Sequence, residues 1–336
     1  MTTSDNLQVR LAARPEGMPT QEHWTISSTP VPELTDDGQV LVKVAYISVD
    51  PAMRGWIRQG ASYVEPVAVG DVMRAGGAGT VVASNHEGFA AGDQVVGLTG
   101  VQSHVVIDGA GLTKVSGELA PLPTFLGVLG MPGLSAYFGL LDVGALAEGD
   151  TVLISGAAGA VGSAAGQIAR IKGARRVVGI VGSDDKGQHL TTDLGFDGAI
   201  NYRTEPVKDR IRDLCPEGVN VYFDNVGGPI LDDALLCLAR GARVVICGAI
   251  SQYNDLDHPR GPQNYLSLLT HRARMEGFII VDYQQRYPEA FMEMAGWFAA
   301  GKLHHRQTVV QGIETFPETF QRLFSGDKLG KLVIQV

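Results

Sequence analysis

Ser155-Gly-Ala-Ala-Gly-Ala-Val-Gly-Ser-Ala-Ala-Gly-Gln-Ile-Ala169 decides the architecture of this chain. Before it, Thr151-Val-Leu-Ile154 is a short β-branched, apolar run of the kind that forms a buried strand. After it, Val161, Ala164, Ala165, Ile168 and Ile171 recur at helical spacing, so a helix starts within the glycines. A strand, a tight glycine turn and a helix N-terminus are the parts of a pyrophosphate cradle. Glycine lets the backbone approach the phosphates, and the N–H groups and dipole of the helix favour negative charge. The spacing is Gly156-x-x-Gly159-x-x-Gly162 and not G-x-G-x-x-G, so a glycine turn made for packing alone is the competing reading.

The next residues favour the cradle. Gly173-Ala174 end the helix, and Arg176-Val-Val-Gly-Ile-Val181 reads as a second buried strand, completing a parallel βαβ unit. The tip of that second strand is where such folds read the adenosine ribose, and an NAD site places Asp or Glu there on the 2′-hydroxyl. This chain has Gly182 and Ser183 at the tip and Lys186 in the next turn. A missing carboxylate with a nearby cation points to a 2′-phosphate, hence NADP(H). Asp184 and Asp185 offer the alternative of pairing with Lys186 on a solvated loop.

A chain of 336 residues, 45% hydrophobic and 19% charged, suits two domains with a core each. Its net charge of −9 argues against nucleic acid or an anionic membrane as the main partner. The start, Met-Thr-Thr-Ser-Asp-Asn, lacks the apolar core of a signal peptide. The uncharged stretch Leu119 to Leu141 is broken by prolines and glycines, which argues against a bilayer span. Cys215, Cys237 and Cys247 form no C-x-x-C pair, so neither a disulfide framework nor a structural zinc is expected. The expectation is a soluble, cytoplasmic protein.

Residues 1 to about 125 read as strands without helical patterns between them: Val40 to Val49, Gly79 to Ala83, Gln94 to Leu98 and Ser103 to Ile107. Such spacing suggests a small barrel or sandwich. From Pro121 onward βαβ alternation takes over, with later strands at Val219 to Asp224, Ala242 to Cys247 and Phe278 to Val281. The terminal strand Gly330 to Val336 has no helix after it and is expected to rejoin the first domain. The expected fold class is α/β, with a barrel domain (1–125 and 298–336) and an inserted doubly wound, Rossmann-type domain (126–297).

An ordered set of motifs then becomes recognisable: Asp50-Pro-Ala-Met-Arg-Gly55, Met131-Pro-Gly-Leu-Ser-Ala-Tyr-Phe-Gly-Leu140, the glycine fingerprint and Val181-Gly-Ser-Asp-Asp-Lys186. They continue with Asn201-Tyr202, Phe223-Asp-Asn-Val-Gly-Gly228, Cys247-Gly-Ala-Ile-Ser-Gln-Tyr-Asn254 and Gly326-Asp-Lys-Leu-Gly-Lys331. Through them the chain resembles, over nearly its whole length, the zinc-independent medium-chain dehydrogenase/reductases. Nearest is the group of prostaglandin reductases (leukotriene B4 12-hydroxydehydrogenases) and bacterial curcumin reductases. The resemblance implies a GroES-like barrel domain, a Rossmann domain, a homodimer joined through its nucleotide domains, and NADPH-dependent reduction of the carbon–carbon double bond of enones or enals.

Zinc-dependent relatives need Cys, His and acidic ligands in the barrel domain and a four-cysteine loop. Here the corresponding stretch reads Val69-Gly70-Asp71, no cysteine precedes Cys215, and His86, His104, His304 and His305 have no evident companion ligands. The remaining chemistry is hydride addition to the β-carbon, with negative charge developing on the carbonyl oxygen. That oxygen needs a donor, and a phenol, with an ordinary pKa of about 10, stays protonated at neutral pH and can donate. Tyr253 lies just past the strand ending at Cys247, on the carboxyl edge where ligands bind. The resemblance gives it the donor role, with mere binding of the cofactor ribose as the alternative.

By motif, Gly159, Ala160, Val161 and Gly162 would hold the pyrophosphate, and Ser183, Lys186 and Tyr202 the adenosine end. Asn225 would meet the middle of the cofactor, and Cys247, Gly248, Ala249, Ile250, Ser251 and Tyr253 the nicotinamide ribose. Phe278, Ile279 and Ile280 would wall the carboxamide or else form a plain core strand, and Cys247 reads as a buried apolar residue more than a reactive thiol. Tyr202 is alternatively a surface aromatic.

Two departures stand out. Ala52 replaces the aromatic common in the Asp-Pro-x-Met-Arg motif and should widen a substrate pocket shared with Met131. Lys328 stands where relatives carry Asn, and a lysine only donates, which puts its cofactor contact in doubt. Arg54 either anchors the substrate cleft or makes a structural ion pair. The polar, proline-bearing segment Asn254 to Tyr265 is expected to be a lid, or else a loose connector. Two other readings remain: a quinone reductase, in which Tyr253 matters less, and an NADPH-binding protein without turnover.

Overall fold

The computed structural model describes residues 5–60, 62–255, 260–326 and 328–336. The chain divides into two compact units, Met1–Leu126 with Gln307–Val336, and Gly127–Arg306.

In the outer unit β1 (Asp5–Leu11) and β2 (Trp24–Pro30) form an antiparallel hairpin. Next come β3 (Gln39–Ser48), a single turn α1 (Met53–Trp56), β4 (Gly77–Ser84), β5 (Gln94–Gly97), β6 (His104–Asp108) and β7 (Leu112–Lys114). β3 is the hub, antiparallel to both β4 and β6. Its alternate residues Val40, Val42 and Val44 are buried, as the period-two pattern requires.

The inserted unit runs α2 (Met131–Phe138), β8 (Thr151–Ser155), α3 (Ala160–Ile171), β9 (Arg176–Val181), α4 (Asp184–Asp193), β10 (Gly198–Asn201), α5 (Val207–Leu214) and β11 (Val219–Asp224). It continues through α6 (Gly228–Leu235), β12 (Leu238–Ile246), α7 (Leu266–His271), β13 (Arg274–Gly277) and α8 (Tyr287–Ala299). Its six strands are all parallel in the order β10-β9-β8-β11-β12-β13. Strand order reverses between β8 and β11, so the crevice beyond their carboxyl ends is the switch point where such sheets bind ligands. Every residue of β8 is buried, which is why that strand reads as one apolar run.

The chain then returns to the outer unit as β14 (Gln307–Gln311), α9 (Phe316–Ser325) and β15 (Lys331–Gln335). β15 pairs in parallel with β14 and antiparallel with β3, Val333 facing Ser48. α9 brings Phe316 and Phe320 into the core beside Trp24, with ring centroids 5.0 and 6.0 Å from the indole. Among the described residues no helix is long and apolar enough to cross a membrane.

Three expectations need correcting. The last strand of the parallel sheet is Arg274–Gly277 and not 278–281. An edge strand exposed at all four residues carries no apolar signal, and the apolar run just after it packs elsewhere. The expected return at residue 298 falls inside α8; the chain stays with the inserted unit through Arg306, held by Lys302 and Leu303 N–H bonds to the Trp297 carbonyl. β1, β2, β7, β10 and β14 are strands beyond those expected; β7 has three residues, β10 has four and β14 is half exposed.

What fastens the carboxyl edge of the parallel sheet is a carboxylate. Asp224, the last residue of β11, is wholly buried. Its Oδ1 accepts from Ser155 Oγ at 2.7 Å, Tyr222 Oη at 2.8 Å and the N–H groups of Val226 and Gly227 at 3.0 Å, while Oδ2 accepts from Gly227 N–H at 3.1 Å. Its backbone carbonyl accepts from Cys247 and Gly248. One residue therefore joins the ends of β8, β11 and β12. Burial first, and then the neighbouring Asp224 charge, push the Tyr222 phenol well above its ordinary range, so it stays a donor. Asp224→Asn keeps the shape but points an NH₂ or a weaker acceptor at these donors, so unfolding should cost about 2–4 kcal/mol less. Chemical denaturation of the two proteins checks this; equal midpoints and slopes would show that the network is not stabilising.

Candidate active site

The glycine turn meets a geometric test of a phosphate cradle. A Cβ on Gly162 would lie 2.5 Å from the Gly156 carbonyl oxygen and 2.8 Å from Ala157 Cα, so the start of α3 closes on the turn only without a side chain there. Gly156 sits at φ +58°, a conformation that favours glycine. Gly159 is the N-cap of α3 and offers no side chain to it, so the N–H groups of the first turn, with Ala160, Val161 and Gly162, face the crevice uncapped by any side chain. An anion is the natural partner for such an end.

At the tip of β9 the backbone turns at Gly182. A Cβ there would lie 3.1 Å from the ring and the hydroxyl of Tyr202, so this glycine lets the aromatic lie against the strand tip. Ser183 is the N-cap of α4 but makes no side-chain cap bond, and Lys186 stands in the first turn of that helix. Asp184 turns its carboxylate to Asn201 Nδ2 at 2.8 Å. Asp184, Asp185 and Lys186 thus stand in the first turn of a helix and not on a loop, and the first of these acids is bound to the end of β10.

The segment after β12 is laced onto the turn after β11. Ile250 N–H donates to the Asn225 carbonyl at 3.3 Å, and Ser251 donates to the Val226 carbonyl through both N–H (3.2 Å) and Oγ (2.6 Å). Asn225 in turn donates from Nδ2 to the Ser155 carbonyl at 2.7 Å, so its amide helps tie β11 to β8. The chain then makes a short 3-10 turn, Ile250–Gln252, which folds Tyr253 back: its phenol oxygen accepts from Ala249 N–H at 3.3 Å. A Cβ on Gly248 would sit 3.0 Å from that oxygen. A phenol held this way accepts through oxygen and donates through its hydrogen. Cys247 has its thiol enclosed by protein; burial, and secondarily the Asp224 charge, push it up to about 12, which keeps it neutral and unreactive.

Phe278 follows the edge strand and turns its ring inward: a Cβ on Gly139 would lie 2.7 Å from the rings of Phe278 and Phe223 alike. The residue is half-buried, with the ring lying over Gly139, which leaves the backbone of Phe278 with Ile279 and Ile280 to form any wall. Tyr287 Oη donates to the Ile280 carbonyl at 2.9 Å and approaches Met131 Sδ at 3.6 Å, so Tyr287, which sequence reasoning missed, anchors this segment and the half-exposed Met131. Burial, then Asp282, push that phenol up to about 12.

The outer unit holds the remaining residues. Ala52 precedes α1 and is half-buried. Arg54 is 4% exposed and donates to the carbonyls of Gly17 (2.8 Å) and Pro15 (3.3 Å), clamping the 15–17 turn. Lys328 is half-buried in the connection from α9 to β15. Lys331, three residues on, is buried and bonds Asp50 Oδ1 at 2.6 Å and the Val49 carbonyl at 3.0 Å, while Ser48 Oγ bonds Asp50 Oδ2. The Asp-Pro-Ala-Met-Arg motif and the C-terminal motif are thus one buried ion pair. The centre of the expected lid, residues 256–259, lies outside the described residues; its flanks are tied by Arg260 N–H to Gln252 and by Gln263 and Asn264 N–H to Asp232. Among the described residues no three His, Cys, Asp or Glu side chains converge as a metal site would require.

Comparison with known proteins agrees with this arrangement. A family model described as the N-terminal domain of oxidoreductase matches residues 7–115, and one described as zinc-binding dehydrogenase matches residues 160–296. The chain is 40% identical to the NADPH-dependent curcumin reductase of Escherichia coli, over 97% of this chain and 95% of that protein. It is 38% identical to the NADP(+)-dependent 2-alkenal reductase of Nicotiana tabacum, over 98% and 97%. The crystal structure of CurA from Vibrio vulnificus in complex with NADPH matches with a TM-score of 0.92 at 40% identity, covering 98% of this chain and 99% of that one. With its GroES-like outer unit and Rossmann-like inserted unit, the chain belongs to the medium-chain dehydrogenase/reductase superfamily, in the group that contains the curcumin and 2-alkenal reductases.

Proposed function

We propose that this protein reduces the carbon–carbon double bond of α,β-unsaturated ketones or aldehydes with NADPH. The observation that carries the reading is the phenol of Tyr253, folded over the Gly248–Ala249 backbone at the carboxyl edge of the sheet, beside the glycine cradle. When bound, NADPH supplies the hydride that adds to the acceptor's β-carbon. The uncapped start of α3 holds the pyrophosphate through backbone N–H groups, and Lys186 with Ser183 and Tyr202 receives the adenosine end. The Cys247–Tyr253 segment lines the nicotinamide ribose, and the neutral Cys247 thiol adds packing without competing chemistry. Tyr253 donates its O–H to the acceptor's carbonyl oxygen as that oxygen takes up charge, and a proton from water reaches the α-carbon. Lys331 acts at a distance, holding Asp50 and the Ala52 turn in place. The three cysteines are unpaired thiols, which suits a reducing, cytoplasmic compartment.

Two copies join through β13. Its four residues are exposed at the end of the sheet, and Met275, with Leu266 and Leu269 of α7, presents apolar surface there. Light scattering at micromolar concentration should return twice the chain mass; a monomer at that concentration would overturn the pairing.

NADPH oxidation should be fast with a medium-chain enone or enal and slower with a benzoquinone. Turnover on the quinone alone would favour quinone reduction, and binding without turnover on either would favour a non-catalytic role. Tyr253→Phe should lower kcat with enones by about tenfold to a hundredfold and leave the Kd for NADPH within about twofold, the pattern of a donor used only as charge develops. An unchanged kcat with weakened NADPH binding would reduce Tyr253 to a cofactor contact.

A further inference from the structure

The end of β10 carries a cation that the sequence motifs pass over. Asn201, the last residue of that strand, is buried and organises the turn after it. Its Oδ1 accepts the Arg203 N–H at 3.1 Å, its Nδ2 donates to Asp184 Oδ1 at 2.8 Å, and its N–H donates to Glu205 Oε2 at 2.7 Å. Glu205 is further engaged by Arg210 Nε at 2.7 Å. The turn sets Tyr202 against Gly182 at the tip of β9, and the Arg203 guanidinium carbon lies 5.8 Å from the centre of the Tyr202 ring. Aromatic ring and guanidinium at that distance attract one another, so the ring gives an exposed arginine a preferred seat.

The local charge shows why one lysine is not enough here. A phosphate monoester carries about −1.5 to −2 at neutral pH. The first turn of α4 adds the carboxylates of Asp184 and Asp185, and the chain as a whole carries −9. Lys186 by itself leaves that neighbourhood strongly negative, and lysine meets a phosphate as a point charge. Arginine adds a second charge and a planar fork matched to two phosphate oxygens.

We propose that Arg203 is the second cation of the 2′-phosphate site, seated by the Tyr202 ring and the Asn201 turn, and that with Lys186 it sets the preference for NADP(H) over NAD(H). This rests on the proposed NADPH dependence, in which the 2′-phosphate lies at the tip of β9. Calorimetric titration of the full chain with 2′,5′-ADP and with 5′-AMP tests both separately. The wild-type protein and Lys186→Ala report on the phosphate site itself: 2′,5′-ADP should bind more tightly than 5′-AMP, and Lys186→Ala should remove most of the difference. If the wild-type protein binds the two nucleotides equally, the phosphate reading fails, and the inference with it. Arg203→Ala reports on the inference: affinity for 2′,5′-ADP should fall about fivefold to tenfold at low salt, less at high salt, with 5′-AMP unchanged. Arg203→Lys should recover part of the loss. An Arg203→Ala protein whose 2′,5′-ADP affinity stays within about twofold of wild type, or falls equally for 5′-AMP, would overturn the assignment while leaving the Lys186 result standing.

Discussion

A buried carboxylate met by hydroxyls and backbone N–H groups holds the carboxyl edge of the parallel sheet in place. Asp224 sits in a fully buried position and is stabilised by four donors at the carboxyl ends of β8 and β11, two hydroxyls and two backbone N–H groups, the Gly227 N–H being shared between both carboxylate oxygens. A carboxyl group in such a place is tolerable only while donors meet its oxygens. The requirement runs both ways: the charge fixes Ser155, the Val226–Gly227 turn and, through its carbonyl, the start of the Cys247–Tyr253 segment. The cradle glycines lie next to Ser155 and the phenol lies at the far end of that segment, so the two halves of the site share one anchor.

Around the anchor, the site divides by material. The proposed pyrophosphate end is backbone: glycines, an uncapped helix start and a close approach that a Cβ on Gly162 would block. The adenosine end, on the proposed reading, is made of side chains on two adjacent strand tips, Gly182–Ser183 and Asn201–Arg203. The proposed acceptor end depends on the Tyr253 phenol, whose position comes from a three-residue 3-10 turn. Backbone sites bind what every dinucleotide has in common, whereas side chains decide which dinucleotide and which acceptor.

Much of this is legible in the chain without coordinates. The apolar run of β8 and the helical spacing of Val161 to Ile171 mark a strand, a glycine turn and a helix, because strand and helix each obey a period that the fold imposes, while the glycines alone leave a turn made for packing as the other reading. Tyr253 is reachable because it comes a few residues after a strong strand signal. What stays hidden is of three physical kinds. β13 has no buried face, so no periodicity marks it, and the apolar Phe278 to Val281 beside it carries the strand-like signal instead because the Phe278 ring fills the space over Gly139. Asp224 looks like any polar residue at a strand end, and nothing local reveals that its partners sit on Ser155 and Tyr222. Arg54 reads as a cleft anchor or a structural ion pair, and the sequence gives no sign of the carbonyls of Pro15 and Gly17, nearly forty residues earlier, to which it donates.

The pairing of β15 with β3 has a consequence for how the chain is made. β3 lies near the start of the sequence, and its partner, together with the Lys331 that bonds Asp50, comes from the last few residues. The inserted unit is one continuous stretch, Gly127–Arg306, so all of it is synthesised before β15. The outer sheet must wait with β3 missing a neighbour, and the nucleotide-binding half is free to form first. A nascent chain stalled just short of Lys331 would carry a finished cradle beside an unfinished barrel.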